Sequence, residues 1–301
     1  MLAWRCSPQA SSIVPMRPLH EWPLSERQGI VGVFTDIDDT LTTGGRITAD
    51  AMQALTDLKT AGLVVIPITG RHSGWCAPLA LGDAARGVEP WPVDAVVAEN
   101  GAVAFIGNNF NEKGLQRPSS VREPLSKLYQ QDAATRAANT LRMQQIAVQV
   151  LREVPGAILS KDEGGRDTDL SFDYNETVQL APAQVQQIVD KLQQAGMHTT
   201  VSSIHIHGCF GNFNKWLGAC WIVQQLFGRD LAKELERWVF VGDSGNDQAM
   251  FEHFAHSVGV ANIRRFEPTL THLPGYITPS DRGAGFAEVA AVILKADPRS
   301  N

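Results

Sequence analysis

Short apolar runs alternate with helical patterns of apolar and polar residues through the first part of the chain. The apolar runs predict buried strands near residues 30–35, 63–68 and 94–98, and helical patterns lie between them near residues 48–61 and 73–86. Strands that alternate with helices in this way are typical of a parallel sheet. We therefore predict an α/β fold with a Rossmann-like parallel sheet, whose carboxyl edge carries polar loops and forms a ligand crevice.

The hydrophobic pattern changes after the third predicted strand. Residues 102–106 predict another strand, and a helical pattern runs from about 123 to 153, with Pro124 at its expected start. Residues 168–174 alternate between polar and apolar, which predicts a strand with one exposed face. Further helical and extended patterns follow at residues 182–195, 198–203 and 203–207. This segment predicts a smaller α/β domain built on an antiparallel sheet.

The chain then returns to its first pattern, so we predict that one domain is inserted into another. The remaining core elements are a helix at 216–227, a strand at 238–241, a helix to about 254, a strand at 257–260 and a helix at 284–295. The predicted division is an N-terminal arm at residues 1–28, a catalytic core at residues 29–101 and 208–301, and an inserted domain at residues 102–207.

The composition is that of a soluble enzyme. The 301 residues, 44% of them hydrophobic, suffice for cores in two domains. The formal net charge of −6, without a basic cluster, argues against a protein that binds the nucleic-acid backbone. The longest apolar runs are only of strand length, and Arg and Pro residues interrupt the first 28 residues. We therefore expect neither a membrane span nor a signal peptide.

The cysteines bear on the cellular compartment. None of the four has the Cys-x-x-Cys spacing of a zinc site, and they stand at Cys6, Cys76, Cys209 and Cys220. We therefore expect reduced thiols in a cytoplasmic protein.

Two carboxylates stand where the first predicted strand must end. Asp36 and Asp38 are spaced by one residue, and a turn after Asp36 would aim both side chains at one substrate from two directions. One carboxylate can then attack phosphorus, while the other protonates the leaving alkoxide and later deprotonates the hydrolytic water. Taken alone, the same spacing also fits a solvated turn or part of a calcium loop.

Three later segments favour phosphoryl transfer. Thr69 and Gly70 follow the second strand and offer a hydroxyl and a flexible backbone to phosphate oxygens. The run Gly242-Asp243-Ser244-Gly245-Asn246-Asp247 follows another strand and adds two carboxylates and an amide. Lys215 opens a helix, where its ammonium is well placed for an anion. Carboxylates that converge at strand ends repel one another unless a hard cation lies between them, and oxygen ligands suit Mg²⁺.

These segments, in this order, resemble the motifs of the haloacid dehalogenase superfamily of phosphotransferases. The resemblance covers about residues 29–295, and the interval between Thr69 and Lys215 leaves room for an inserted C2-type cap, as in subclass IIB. It implies that Asp36 is the nucleophile and Asp38 the general acid and base. Many relatives have glycine where this chain has Asp39, which we do not expect to be a third catalytic acid.

The resemblance also implies a set of ligands. Thr69 and Lys215 would bind phosphate, with Gly70 and Asn246 as further candidates. The Mg²⁺ ligands would be the carboxylates of Asp36 and Asp243 and the backbone carbonyl of Asp38, with Asp247 as support behind them.

The implied activity is that of a Mg²⁺-dependent phosphomonoesterase that forms an aspartyl-phosphate and acts on a small phosphorylated metabolite. The inserted segment resembles the caps of phosphatases for sucrose phosphate, trehalose phosphate and mannosyl-phosphoglycerate, so a sugar phosphate is the expected substrate. A hexose-phosphate mutase is the alternative within the superfamily. A phosphate-sensing or scaffold protein is a further alternative, although a receiver domain with clustered aspartates would have about half this length.

Specificity is expected in the inserted domain, because the core motifs handle only the phosphoryl group. Lys161 and Arg166 flank a glycine-containing loop between two predicted strands. Such a loop is either substrate-facing or a solvated hairpin. The next candidates for substrate contacts are Ser171, Asp173 and His205.

Three other side chains have two interpretations. His205 and His207 share a strand face and could chelate zinc, but no third nitrogen or sulfur ligand stands near them in the sequence. We therefore favour a substrate-facing or structural role. Arg71 either contacts phosphate or fixes its loop through a salt bridge.

Overall fold

A computed structural model describes residues 15–107 and 127–296 of the chain. Its helices are α1 (Leu24–Arg27), α2 (Ala49–Thr60), α3 (Ser73–Leu81), α4 (Ala133–Glu153), α5 (Pro182–Gln194), α6 (Lys215–Phe227), α7 (Gln248–His253) and α8 (Arg282–Leu294). Within the described residues, no helix combines the length and the apolar character that crossing a membrane requires.

The strands are short and belong to several sheets. They are β1 (Arg17–Pro18), β2 (Gly32–Thr35), β3 (Thr42–Thr43), β4 (Arg46–Ile47), β5 (Val64–Pro67), β6 (Ala95–Ala98), β7 (Val103–Ile106), β8 (Lys127–Tyr129), β9 (Ile158–Leu159), β10 (Asp169–Asp173), β11 (His198–Val201), β12 (His205–Cys209), β13 (Trp238–Gly242), β14 (His256–Gly259) and β15 (Tyr276–Ile277).

A parallel sheet in the order β1-β15-β14-β13-β2-β5 forms the centre of the core. The central strands β2, β5 and β13 are buried along their whole length because helices cover both faces of the sheet. Val33 and its neighbours on one face pack with α2 and α8. Phe34 and its neighbours on the other face pack with α6 and α7. The predicted Rossmann-like parallel core is confirmed.

A smaller antiparallel sheet joins the open edge of this core. Ile68, just after β5, forms a bridge to Val97 in β6, and β6 pairs in turn with β7 and β7 with β8. The chain reverses between β6 and β7 at Glu99–Gly101, where three consecutive residues have positive φ. The reversal folds the apolar residues of β7 back into the core.

This reversal bears on the start of the inserted domain. The sequence places residues 102–129 in the insertion, whereas β7 pairs with β6 of the core and β8 pairs with β7. We therefore propose that the insertion begins near α4. The helix itself begins at Ala133, where the side chain of Asp132 accepts the Thr135 N–H at 2.9 Å. Pro124 lies outside the described residues, but the predicted helix start is too early, because residues 127–129 form a strand.

The cap is defined here as the segment from α4 to β12, and it carries its own antiparallel sheet in the order β11-β12-β10-β9. One face of this sheet packs on α4 and α5 through Leu170, Phe172 and Ile206. All five residues of β10 are buried. The predicted exposed face is therefore wrong, because the polar face of the strand lies against the core rather than in water.

The described part of the predicted N-terminal arm packs on the core. Residues 17–18 pair with β15 at the edge of the parallel sheet. The Trp22 ring is buried, with its centroid 5.6 Å from that of Tyr276. Residues 1–14 lie outside the described residues. An apolar anchor at Trp22 thus fixes residues 15–28 against the sheet edge.

The contact between α6 and the β6–β7 turn depends on two glycines. A Cβ on Gly218 would lie 2.5 Å from the Gly101 Cα. Gly218→Ala must push the two backbones apart, so we expect a loss of about 1–3 kcal/mol in the free energy of unfolding. Urea denaturation followed by circular dichroism measures it.

Gly164→Ala is the matched control for this prediction. A Cβ at Gly164 meets no atom within 4 Å, so its effect should stay within about 0.5 kcal/mol. Equal stability of the two variants would show that the α6 contact tolerates a side chain.

Candidate active site

The carboxyl ends of three neighbouring strands place the predicted motifs side by side. Asp36 directly follows β2, Thr69 lies two residues after β5, and Asp243 directly follows β13. The hydrogen bonds between the strands continue into these loops, since the Asp36 N–H donates to the Val241 carbonyl at 2.8 Å. In a parallel sheet these strand ends share one edge, so polar side chains distant in sequence converge there.

A tight turn separates the two carboxylates of the first motif. The Leu41 N–H donates to the Ile37 carbonyl at 2.9 Å, and Asp39 within the turn has a φ of 57°. Such a left-handed position favours glycine and, among other residues, Asp and Asn. Asp36 is consequently buried, whereas Asp38 is partly exposed.

Lys215 joins two of the acidic side chains. Its ammonium is fully buried and donates to the carboxylate of Asp36 and, at 2.7 Å, to that of Asp247. The other Asp247 oxygen accepts the backbone N–H groups of Asp243 at 2.9 Å and Ser244 at 3.0 Å. These carboxylates raise the pKa of Lys215 although burial lowers it. The ammonium therefore stays charged.

Three carboxylates could hold a metal ion. Asp36, Asp243 and Asp247 each place one oxygen within 4.8 Å of the others, and all three are buried. Burial raises the pKa of Asp36 to about 7 against the opposing effect of Lys215, and burial with the Asp36 charge raises that of Asp243 well above its usual value. Oxygen ligands at this spacing suit a hard divalent cation.

One oxygen of Asp243 is held and the other is without a partner. Its Oδ2 accepts from Asn262 at 2.8 Å and from Arg265 at 3.2 Å, whereas its buried Oδ1 has no hydrogen-bond partner in the described structure. An unpartnered buried carboxylate oxygen is costly, and a cation beside it would satisfy it. The residues present therefore fit a metal ion.

Arg265 also reaches the first motif. It donates to Asp39 at 2.9 Å, and Arg282 donates to the other oxygen of Asp39 at 2.9 Å. This chain thus ties its unusual Asp39 to the loop that holds Asp243. Sequence reasoning missed this network, since nothing in the local pattern around residues 262–282 marks it.

Three of the four predicted phosphate ligands line one small cavity, which we call the phosphate cavity. The fourth, Lys215, is fully buried against Asp36 and is not among the residues that line it. Thr69, Gly70 and Asn246 lie in its wall together with Asp36 and Asp38. A Cβ on Gly70 would lie 3.0 Å from the His207 Nε2 of the cap, so the glycine permits the cap to approach. The structure therefore brings together every core residue that the motifs predict, and their roles stay predictions.

Arg71 forms the salt bridge that was one of its two interpretations. Its guanidinium donates to both oxygens of Asp38 at 2.9 Å and to Glu176 of the cap at 3.4 Å. It also lines the phosphate cavity. Arg71 thus connects Asp38 with the cap.

The cap candidates divide into two groups. His205 lines the phosphate cavity and bonds to Glu176 at 2.9 Å through its Nε2. Lys161 is exposed and does not line the cavity. Ser171 is buried, and Asp173 accepts backbone N–H groups of the turn that follows it, including that of Glu176 at 2.9 Å.

Arg166 is a structural residue in this arrangement. Its buried guanidinium donates to Asp169 at 2.9 Å, to Asp162 at 3.0 Å and to the Gly70 carbonyl at 3.0 Å. These partners hold Arg166 between the cap acids and the loop of Thr69 and Gly70, and its expected role in substrate specificity stays a prediction. The sequence showed the charge of this loop but not these partners.

Glu99 is a further residue whose role the sequence did not show. Its buried carboxylate accepts the N–H groups of Ser73 at 3.1 Å, Asp167 at 3.0 Å and Thr168 at 2.7 Å. Burial raises its pKa to about 7. The neighbouring Asn100 accepts from the Asn246 amide at 3.1 Å. One turn of the core thus connects the cap loop with the Asn246 loop.

The two cap histidines have carboxylate partners rather than metal-ligand neighbours. His207 Nδ1 lies 2.9 Å from Asp169, and burial lowers the pKa of His207 to about 4. In the part of the chain that the structure describes, the single group of at least three potential metal ligands is Asp36, Asp243 and Asp247. The structural interpretation of His207 accounts for its contacts.

Comparison with known proteins gives a family match over the cap and part of the core. The family model for sucrose-6F-phosphate phosphohydrolase matches residues 126–273, which include Lys215 and Asp243 but not Asp36. None of the curated proteins matches this chain.

Solved structures share the fold over most of this chain. The sucrose-phosphatase of Synechocystis sp. PCC6803, in complex with sucrose and phosphate, is 16% identical with a TM-score of 0.58, over 88% of this chain and 98% of that one. The C-terminal domain of C. albicans trehalose-6-phosphate phosphatase is 11% identical with a TM-score of 0.59, over 90% and 95%. A subclass IIB sugar phosphatase of the haloacid dehalogenase superfamily is 15% identical with a TM-score of 0.53, over 82% and 93%.

The motif order, the fold and the family match agree on one class of protein. The chain is similar to phosphatases of the haloacid dehalogenase superfamily, in line with the resemblance. Within that class it is similar to the sugar-phosphate phosphatases of subclass IIB.

Removal of the buried ammonium should destabilise the fold. Lys215→Met leaves the carboxylates of Asp36 and Asp247 buried without a counter-charge, because both depend on this ammonium. At a pH of about 8, we expect a loss of about 3–5 kcal/mol in the free energy of unfolding, because removing one partner of a buried ion pair leaves uncompensated charge. Urea denaturation measures it.

The matched control is Lys233→Met, since Lys233 forms an exposed ion pair with Asp230. Its effect should stay below about 1 kcal/mol. If Lys215→Met were as mild as the control, the buried ammonium would not hold the acidic cluster together.

Proposed function

We propose that this protein is a Mg²⁺-dependent phosphomonoesterase that acts on a sugar phosphate through an aspartyl-phosphate on Asp36. One observation carries the proposal. Asp36 and Asp38 line the same cavity, but Asp36 is buried against the Lys215 ammonium whereas Asp38 lies at the partly exposed side with Arg71. Two acids in different environments suit two different roles.

Asp36 is the nucleophile in this proposal. A carboxylate oxygen of Asp36 attacks phosphorus while the bond from phosphorus to the leaving oxygen breaks, and Asp38 gives that oxygen a proton. Water then attacks the aspartyl-phosphate, Asp38 takes a proton from it, and phosphate leaves with Asp36 restored. The Lys215 contact supports this role, because it orients the Asp36 carboxylate and favours its anionic form.

Asp38 must be free of Arg71 to transfer a proton. In the structure, the guanidinium holds both oxygens of Asp38. A phosphate in the cavity offers that guanidinium a second anionic partner of matching geometry. A substrate phosphate that draws Arg71 away thus frees the Asp38 carboxylate, which can then take up a proton from solvent and later give it to the leaving oxygen. The Thr69 hydroxyl, the Gly70 backbone and the Asn246 amide are the further groups placed to orient phosphate oxygens.

Asp36 and Asp243 are the side chains that would hold Mg²⁺, with Asp247 held behind them by Lys215 and by backbone N–H groups. When bound, the cation neutralises the converging carboxylates and the phosphate oxygens. The unpartnered Asp243 Oδ1 supports this assignment. The role of the Asp38 backbone carbonyl as a ligand is part of the same proposal.

A sugar phosphate is the substrate class that the relatives favour. The family model is that of a sucrose-6F-phosphate phosphohydrolase, and structural neighbours include phosphatases of sucrose phosphate and trehalose 6-phosphate. The test is phosphate release from a panel of phosphorylated sugars with Mg²⁺. Asp36→Asn should retain the circular dichroism spectrum and lose turnover, and an active variant would remove Asp36 from the nucleophile role.

The acid role of Asp38 depends on the leaving group. Asp38→Ala should lower kcat/KM for an alkyl phosphate by about 100-fold or more. The loss on p-nitrophenyl phosphate should be much smaller, because p-nitrophenolate leaves without a proton. Parallel kinetics on both substrates measure the difference. Equal losses would show that Asp38 serves geometry or metal binding instead.

Binding of Mg²⁺ should depend on pH through the acidic cluster. The pKa of Asp36, about 7 when folded, exceeds its usual value of 3.8, and that of Asp243 is also raised. Without metal, the stability these groups contribute is complete below about pH 4 and is lost as pH rises through about 7. Mg²⁺ binds the deprotonated carboxylates. It should therefore raise the Tm much more at pH 8 than at pH 5.5.

Differential scanning fluorimetry with Mg²⁺ or EDTA measures these Tm shifts, independently of turnover. Asp243→Asn is the control variant, since it keeps the side-chain shape but removes a proposed ligand, and it should lose most of the Mg²⁺-dependent shift. A shift that is equal at both pH values, or that survives in the variant, would contradict the metal assignment.

A further inference from the structure

One ring nitrogen of a buried cap histidine faces the loop of Thr69 and Gly70. His207 lies in β12 and lines the phosphate cavity. Its Nε2 would lie 3.0 Å from a Cβ on Gly70, and it makes no hydrogen bond with any residue that the structure describes. The cap thus brings a polar atom without a partner to the place where the phosphoryl group is proposed to bind.

The other ring nitrogen determines where the proton of the neutral ring lies. Nδ1 is 2.9 Å from Asp169, and Arg166 donates to both oxygens of that carboxylate, at 2.9 Å and 3.1 Å. Burial raises the pKa of Asp169, but Arg166 and His207 bring it below its usual value. Asp169 is therefore ionised, and the proton of the contact belongs to Nδ1. The Nε2 of the neutral ring then carries a lone pair.

A lone pair at this position is incompatible with a phosphate oxygen beside it. Burial lowers the pKa of His207 to about 4, so the ring is neutral near pH 7 in this structure. Every oxygen of a phosphate dianion is an acceptor, so a proton on Nε2 is needed to form a hydrogen bond, which is then charge-assisted. An opposite charge within about 4–6 Å changes a pKa by about 1–3. That is enough to protonate His207 at mildly acidic pH.

The groups around the ring include both signs of charge. The guanidinium groups oppose a proton on His207 and the carboxylates favour it, so a bound dianion adds to the side that favours the proton. His205 is unlike His207, because its Nε2 already bonds to Glu176 at 2.9 Å. Beside His207 on β11 stands the uncharged Thr200. The described charged or titratable groups nearest the ring are Asp169, Arg166 and His205 of the cap and Asp36, Asp38 and Arg71 of the core.

We propose that His207 is a phosphate ligand supplied by the cap, and that it takes one proton from solvent when a tetrahedral dianion enters the phosphate cavity. Nε2–H then donates to an oxygen of the anion, and no covalent bond changes. The inference rests on the proposed function in one respect, because it takes this cavity as the phosphate site. It adds a cap ligand to those of the core and makes the affinity for phosphate depend on pH.

Binding of sulfate measures this proton uptake without turnover. Sulfate is a tetrahedral dianion at both pH 5.5 and pH 8, so its own charge stays constant. Isothermal titration calorimetry of the full chain with Mg²⁺ should give a Kd at pH 5.5 that is about tenfold or more below that at pH 8, because a complex that holds an extra proton is favoured at low pH. An affinity that does not tighten toward low pH would overturn the inference.

Two substitutions separate the two ring nitrogens. His207→Asn keeps an amide donor for Asp169 and removes Nε2, so the ratio of its Kd values at the two pH values should be about tenfold smaller than in the wild type. His207→Gln places a neutral donor near the Nε2 position, so it should bind sulfate at pH 8 at least as well as the wild type but with the same small ratio. A wild-type ratio in His207→Asn would contradict the proposal.

His256→Gln is the matched control for these variants. His256 is also a buried imidazole near a carboxylate, with its Nδ1 3.8 Å from Glu26, and it packs on Trp22 rather than at the phosphate cavity. Its sulfate affinity should follow that of the wild type at both pH values. Loss of the pH effect in this variant as well would show that the effect does not come from His207.

The wild-type ring can be observed directly, which protects the test against a folding defect in the variants. In protein with ¹⁵N-labelled histidine rings, NMR distinguishes a ring protonated only at Nδ1 from an imidazolium. Sulfate at pH 5.5 should convert one ring to the imidazolium, and the signals of that ring should be missing from His207→Asn. A His207 ring that stays neutral with sulfate bound would overturn the inference.

Kinetics distinguish a phosphate ligand from a residue that contacts the sugar. A ligand of the phosphoryl group acts on every ester, so His207→Asn should lower kcat/KM for p-nitrophenyl phosphate and for a sugar phosphate by a similar factor of about tenfold. A loss confined to the sugar phosphate would overturn the inference. Failure of the proposed function would look different, because the wild type would release no phosphate from either ester while the sulfate experiments still reported on His207.

Discussion

The buried ammonium of Lys215 is the interaction on which the active-site edge of the core depends. Parallel strands bring Asp36 and Asp243 to one edge, and Asp247 joins them from the following turn. Three buried carboxylates would repel one another strongly. Lys215 pairs with two of them, and this fixes where α6 must begin. The close approach of Gly218 to Gly101 follows from the same requirement, since the helix start is set against the β6–β7 turn.

The cap repeats this arrangement of one buried cation among carboxylates. Here one buried guanidinium, that of Arg166, is surrounded by Asp162, Asp169 and the Gly70 carbonyl. Because Arg166 also donates to the Gly70 carbonyl, the two cap acids that hold Arg166 fix the loop of Thr69 and Gly70 as well. A charged cluster of this kind contributes geometry more than stability, because its desolvation offsets much of the Coulombic attraction. It explains why the polar face of the cap sheet is buried although its sequence alternates like a half-exposed strand.

Sequence reasoning predicted the parts of the site that local pattern defines. Asp36 and Asp243 each follow an apolar strand, and the fold class follows from the same strands, so both were accessible without coordinates. The partners of Arg166 and Asp39 could not be predicted in this way. Arg166 contacts Gly70 and Asp39 contacts Arg265, and each contact joins segments that are distant in sequence. The strand after residue 102 was assigned to the insertion for a similar reason. The antiparallel pairing of β7 with β6 and the positive φ values at Glu99–Gly101 show that it folds back on the core.

The charge around the phosphate cavity has a chemical consequence for the proposed mechanism. A larger cavity between the cap and the core adjoins it at Ser202 and Asn246, and none of the described residues that line this larger cavity is Asp, Glu, Lys or Arg. In the proposed mechanism, negative charge develops on the leaving oxygen as its bond to phosphorus breaks. A neutral wall beside that oxygen cannot stabilise the charge, so the proposal assigns this task to the proton from Asp38. The proposed dependence on Asp38 is therefore greatest for leaving groups that lie along the neutral wall.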